Sequence, residues 1–169
     1  MTSMLDPVLD LEPDLAVSLD AELGLLGLLG TGGSASLVAG VADPVLPVPL
    51  GLATGLLSDV DPYALDGDGR VDLIRAWERV AAVVAAGQQR ALAAVSEATE
   101  GLGRPGEEAR HEVGAALRLC PGTAAGRLEV ARELVHRLPG VLAVLQAGAI
   151  GYLQAAAIAA GVRDLPDDL

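Results

Sequence analysis

An all-α fold is what this sequence predicts, and two observations predict it. Half of the 169 residues are apolar (51%), yet there is no Phe, one Trp and two Tyr, so any core must be packed by Ala, Leu and Val. Small aliphatic side chains suit close-packed helices better than a sheet rich in aromatic residues. The second observation is spacing: from Ile74 onward apolar residues recur in alternating steps of three and four, the period of one helix face. The architecture expected is a long helix packed with a helical hairpin and further short helices, preceded by a flexible leader. Residues 1–61 form the leader and residues 62–169 the helical domain.

The leader is set apart by charge and by punctuation. Before Arg70 there are eleven acids and no base, whereas the remainder holds twelve acids and eleven arginines. The leader therefore carries nearly all of the net charge of -12. Residues 23–42, "LGLLGLLGTGGSASLVAGVA", lack any charge over a length that could span a membrane. Six glycines, acidic flanks and the absence of a nearby Lys or Arg argue against insertion. Pro44, Pro47 and Pro49 interrupt the next apolar run. A poorly ordered acidic leader, rich in Gly, Pro and Leu, is the expectation.

The long helix is expected over about residues 71–100, with Ile74, Trp77, Ala81, Val84, Gln88, Ala91, Val95 and Ala98 on its packed face. If Trp77 sits in a core, Trp77→Ala costs about 3–5 kcal/mol. Just before it lies "LDGDG", residues 65–69, which has the composition of a calcium loop. Register excludes that reading. With Asp66 and Asp68 as third and fifth ligands, the twelfth position, where a bidentate Glu belongs, is Arg75; starting at Asp66 instead puts Val71 where glycine is required. Asp66 and Asp68 are read as helix N-cap residues that satisfy free N–H groups and favour the positive end of the dipole.

Residues 106–120, "GEEARHEVGAALRLC", place Ala109, Val113, Ala116, Leu117 and Cys120 on one helical face, with acids in the first turn. Pro121 and Gly122 then interrupt, and Thr123 is placed to cap a following helix. That helix is expected to bury Ala124, Leu128, Ala131, Val135 and Leu138. Two helices joined by so short a turn make a helical hairpin of helix-turn-helix type. Arg118, Arg127, Arg132 and Arg137 are its candidate contacts to nucleic acid or another partner. Glu129 and Glu133 share the exterior, so a purely structural hairpin is weighed above a base-reading helix. Further on, Pro139, Val141, Leu142 and Leu145 outline a short helix closed by Gly148. Tyr152, Ala155, Ala156, Ile158 and Ala159 outline another, ended by Gly161.

Chemistry is scarce. The lone Cys120, His111 and His136 have no zinc-ligand spacing, and no nucleophile–base pair or phosphate loop is present. The expectations are no catalytic residue, no metal, no cofactor and no enzyme activity. The N-terminus has no basic n-region, so a cytoplasmic location is expected. An acidic chain with pI near 4.4 disfavours broad nucleic-acid binding while leaving room for a local arginine patch.

From about Leu65 onward the sequence resembles the domain of unknown function 222, the N-terminal part of the 13E12-repeat proteins of actinobacteria. Three stretches carry the resemblance: residues 65–95, "LDGDGRVDLIRAWERVAAVVAAGQQRALAAV"; residues 112–162, "EVGAALRLCPGTAAGRLEVARELVHRLPGVLAVLQAGAIGYLQAAAIAAGV"; and the closing "RDLPDDL". The resemblance implies an all-helical domain, often followed in longer relatives by an HNH nuclease module. Such a module needs histidines and an asparagine around a divalent metal. This chain has no asparagine, so the resemblance transfers no nuclease activity. The function expected is a non-catalytic helical module that binds nucleic acid or a nuclease-bearing protein, with homo-oligomerisation open. The alternative is a truncated fragment with no independent activity.

Overall fold

The computed structural model describes residues 33–43, 49–100 and 106–163. Among these residues there are helices and turns and no strand. The helices, in chain order, are α1 (Ser34–Ala42), α2 (Leu50–Ser58), α3 (Gly67–Glu100), α4 (Glu107–Leu117), α5 (Pro121–Arg132), α6 (Pro139–Gln146) and α7 (Tyr152–Val162). A 3-10 turn (Pro62–Ala64) precedes α3, and a π-helical turn (Glu133–Arg137) continues α5. The chain divides after Leu73 into two compact units.

In the first unit α1 and α2 touch each other, and Val38, Val41, Ala53 and Leu57 are buried. The first half of the uncharged run at 23–42 lies outside the described residues. Its described end forms the nine-residue helix α1, about 14 Å long at 1.5 Å per residue. Among the described residues no helix is long and apolar enough to cross a membrane.

The second unit is built along α3. Ala82 and Ala86 of α3 form one core cluster with Leu134 of the π turn, Leu142 and Leu145 of α6, and Ala155 and Ala159 of α7. Farther along, Leu92 and Ala93 form a second cluster with Ala109 and Val113 of α4 and Ala124, Leu128 and Ala131 of α5. Val135 packs against both clusters. Alanine at these positions lets helix backbones approach closely, while leucines from neighbouring helices fill the remaining volume. The turn from α6 to α7 depends on Gly148, whose φ of +73° is left-handed. A Cβ there would also collide with the Arg79 side chain of α3.

The register of α3 differs from the one expected. Its buried residues are Leu73, Ala76, Val80, Ala82, Ala86, Gln89, Leu92, Ala93 and Ser96. On the expected face, Ile74 is 63% exposed, Val84 54% and Trp77 38%. Apolar residues are so dense here that two neighbouring stripes satisfy the same three-and-four stepping. Packing selects the stripe that puts Ala82, Ala86 and Ala93 against the neighbouring helices and leaves Ile74, Trp77 and Val84 outside. The buried glutamine is Gln89 rather than Gln88, with Ser96 the other buried polar residue of α3, and the Gln89 Oε1 has no hydrogen-bond partner.

Two smaller corrections concern the hairpin. Helix α4 stops at Leu117, so Ala116, Leu117 and Cys120 are exposed and only Ala109 and Val113 are buried. In α5 and its continuation Leu134 is fully buried, while Val135 and Leu138 are half-buried. Leu134 and Val135 are adjacent and both pack against the first core cluster, so the departure from the expected stripe is the fuller burial of Leu134.

Candidate partner-binding face of the helical hairpin

The turn between α4 and α5 is only three residues long, Arg118 to Cys120. It is made by Arg118 adopting a left-handed conformation with φ of 54°, after which the Leu119 N–H donates to Gly114 O at 2.9 Å. That bond spans five residues and satisfies a carbonyl at the end of α4. Gly114 makes the closeness tolerable: a Cβ there would lie 3.3 Å from Leu119 O and 3.8 Å from the buried Ala124 Cβ. The exposed Arg118 side chain is thereby held at the apex of the hairpin.

Helix α5 begins three residues earlier than expected. Pro121 occupies its first turn, and the Ala124 N–H donates to Cys120 O at 3.0 Å. Cys120 is therefore the N-cap, and Thr123 lies inside the helix rather than capping it. Proline, with its fixed φ and no N–H, is suited to that first position and displaces the start. The Thr123 hydroxyl instead lies 3.1 Å from Cys120 Sγ. This contact, with help from backbone N–H groups of the first turn, holds the exposed Cys120 thiol below its ordinary pKa. At the start of α3, by contrast, Asp66 Oδ1 accepts the Gly69 N–H at 2.8 Å, and Asp68 lies in the first helical turn. Asp66 Oδ1 is thus spent on the helix start.

The four candidate arginines do not form one patch. Arg127 is half-buried and Arg132 exposed. Five residues at about 100° each put them about 140° apart, on opposite flanks of the Ala124–Leu128–Ala131 stripe. Arg137 is half-buried and donates to Glu133 Oε2 at 2.8 Å. Arg163, just past α7, pairs with Glu129 at 3.1 Å, and its carbonyl lies 3.5 Å from Arg137 Nη1. His136 of the π turn meets Glu97 of α3 at 3.1 Å. One side of α5 and the π turn is therefore an ion-pair seam tying α5 to α7 and to α3. The seam does not include Arg118 or Arg127, and the helical period puts Arg127 on the flank of α5 opposite Glu129.

Sequence reasoning missed Glu97, Glu129 and Arg163 as members of this seam, because pairs that join distant helices leave no local spacing to read. It also missed the Cys120–Thr123 contact, although the three-residue separation at a helix start was a usable signal. Among the described residues no group of three or more His, Cys, Asp or Glu side chains is gathered to hold a metal.

Residues 70–169 match the model of the family described as "Domain of unknown function (DUF222)". No curated protein and no solved structure matches the chain.

Proposed function

We propose, from the premise that this chain belongs to the DUF222 family, that it is a non-catalytic helical module that holds a partner through the α4–α5 hairpin. The observation that carries this reading is the apex: an exposed arginine, Arg118, fixed by a left-handed turn between two short helices that share a core with α3. Nucleic acid is the partner that this chemistry suits. From Arg118 to Leu138 four arginines stand against two glutamates, a local surplus in a chain with net charge -12. Arg118 and Arg127 make the contacts in this reading. Arg132 and Arg137 contribute less, Arg137 because it is already engaged with Glu133. A cytoplasmic setting, expected from the lack of a basic n-region, belongs to the same reading.

A second reading is favoured by a separate observation. The only Trp of the chain lies on the outside of α3 at 38% exposure, beside Ile74 at 63%. Exposed Trp is enriched where proteins meet, so a protein partner, such as a nuclease-bearing one, would be held through α3. The test is fluorescence anisotropy with a labelled DNA duplex at low salt, on the full chain, with Arg118→Ala/Arg127→Ala as the comparison. Binding that weakens with salt and with the double substitution supports the first reading. No binding at low salt removes nucleic acid and leaves the protein partner.

A further inference from the structure

We infer that the outer face of α3 is a coiled-coil seam that pairs, antiparallel, with the same face of a second copy of this chain. The inference takes the α3 reading above further by naming the partner, and it does not depend on what the hairpin binds. Positions 74, 77, 81, 84, 88, 91, 95 and 98 alternate by three and four without a break, as the a and d positions of a heptad do. None of them is charged, although the same helix exposes Arg75, Glu78, Arg90 and Glu97. Seven of the eight are exposed and Val95 is half-buried. The core does not use this stripe, because α3 reaches its two clusters through Ala82, Ala86, Leu92 and Ala93. A strict seven-residue repeat slips by about 20° per heptad on a straight helix and stays in line only against another helix wound around it. Ile74 at 63% exposure and Val84 at 54% leave that place open among the described residues.

Self-complementarity is what selects a second copy. With a two-fold axis level with Ala86, every a residue faces a d residue of the other copy: Ile74 meets Ala98, Trp77 meets Val95, Ala81 meets Ala91 and Val84 meets Gln88. The two bulkiest side chains, near one end of the seam, thus fall opposite the smaller residues near the other end, and no side chain meets its own copy. A parallel pair would set Trp77 against Trp77 and, one step on, Ala81 against Ala81, so the two helices could not keep one spacing. Gln88 is the one polar residue of the seam, and a single polar residue at an a position fixes register at some cost in stability. From Ile74 to Ala98 the seam is about 36 Å long at 1.5 Å per residue. With a helix about 10–12 Å across, the two facing strips come to roughly 800 Å² in projection, which places the dimer among weak, reversible interfaces.

The test is analytical ultracentrifugation of the full chain from micromolar to millimolar concentration. The average mass is expected to rise from 17.0 kDa toward twice that value. Val84→Glu, at an exposed site, is expected to weaken association about ten-fold or more while the helical circular dichroism stays unchanged. Ala81→Glu and Ala91→Arg should each weaken it as well. Combined in one chain they should recover most of the loss, because the antiparallel register sets the opposite charges face to face whereas a parallel pair sets like charges together. The mass of one chain at every concentration would overturn the inference and leave the α3 face to a different protein. Association that none of the substitutions weakens would overturn it too, because the contact would then lie elsewhere on the chain. A loss that the combined substitution deepens would overturn the antiparallel register.

Discussion

Cys120 shows how much a single residue's position decides. Its thiol is exposed at the N-terminus of α5, 3.1 Å from the Thr123 hydroxyl, and that contact comes first among the causes that lower its pKa. A lowered pKa means more thiolate at neutral pH, so alkylation by iodoacetamide should proceed faster at pH 7 than for a free cysteine of pKa about 8.5. The midpoint of the rate–pH profile should lie below that of a cysteine in an unstructured peptide and move upward in Thr123→Val; an unchanged profile would discount the contact. Trp77 makes the opposite point, since the largest side chain in the sequence looks like an anchor. Because it is 38% exposed, Trp77→Ala should cost about 1 kcal/mol in urea denaturation. Leu145→Ala, at a fully buried site, should cost about 2–5 kcal/mol. Equal costs would contradict the observed register of α3. Composition revealed that the core would be aliphatic, but not which of two adjacent stripes would fill it. That choice depends on how closely neighbouring helices approach, which is a tertiary property.

The elements were legible where punctuation is strong. Pro121 and Pro139 begin α5 and α6 as proline in a first turn should. Gly148, left-handed, follows α6 as glycine past a helix end should. The hairpin was legible because Pro121 marks a new helix start, although the turn itself, Arg118 to Cys120, lies just before it. The π turn was not, because no residue type marks the inserted position. The observed burial of the segment has a direct test: Leu134→Ala should cost about 2–5 kcal/mol and Val135→Ala about 1 kcal/mol, and equal costs would contradict it. Gln89 tests the packing of α3 in the same way. It is 1% exposed with an unpartnered Oε1, and a buried acceptor without a partner costs stability. Gln89→Leu should leave stability unchanged or raise it by about 1–2 kcal/mol in thermal or urea unfolding. A large loss would mean that the amide is hydrogen-bonded.

At the scale of the whole molecule, charge and topology point to the same region. The net negative charge is concentrated before Arg70, and the region from Arg70 to Leu169 is close to neutral, with eleven arginines against twelve acids. Within it, α3 carries two clusters, and the hairpin that projects Arg118 is fixed by the second of them. The seam through Glu97, Glu129, Glu133, His136, Arg137 and Arg163 could not be read from the sequence, because its members come from three separated stretches. Its half-exposed pairs are worth little individually, which suits a role in orienting helices rather than in holding them. The most direct test of the partner-binding account is the salt dependence of duplex DNA binding by the full chain. The account predicts that log affinity falls linearly with log salt concentration and that Arg118→Ala/Arg127→Ala lowers the slope by about two. Affinity and slope that are the same in the variant, or no binding at low salt, would contradict it.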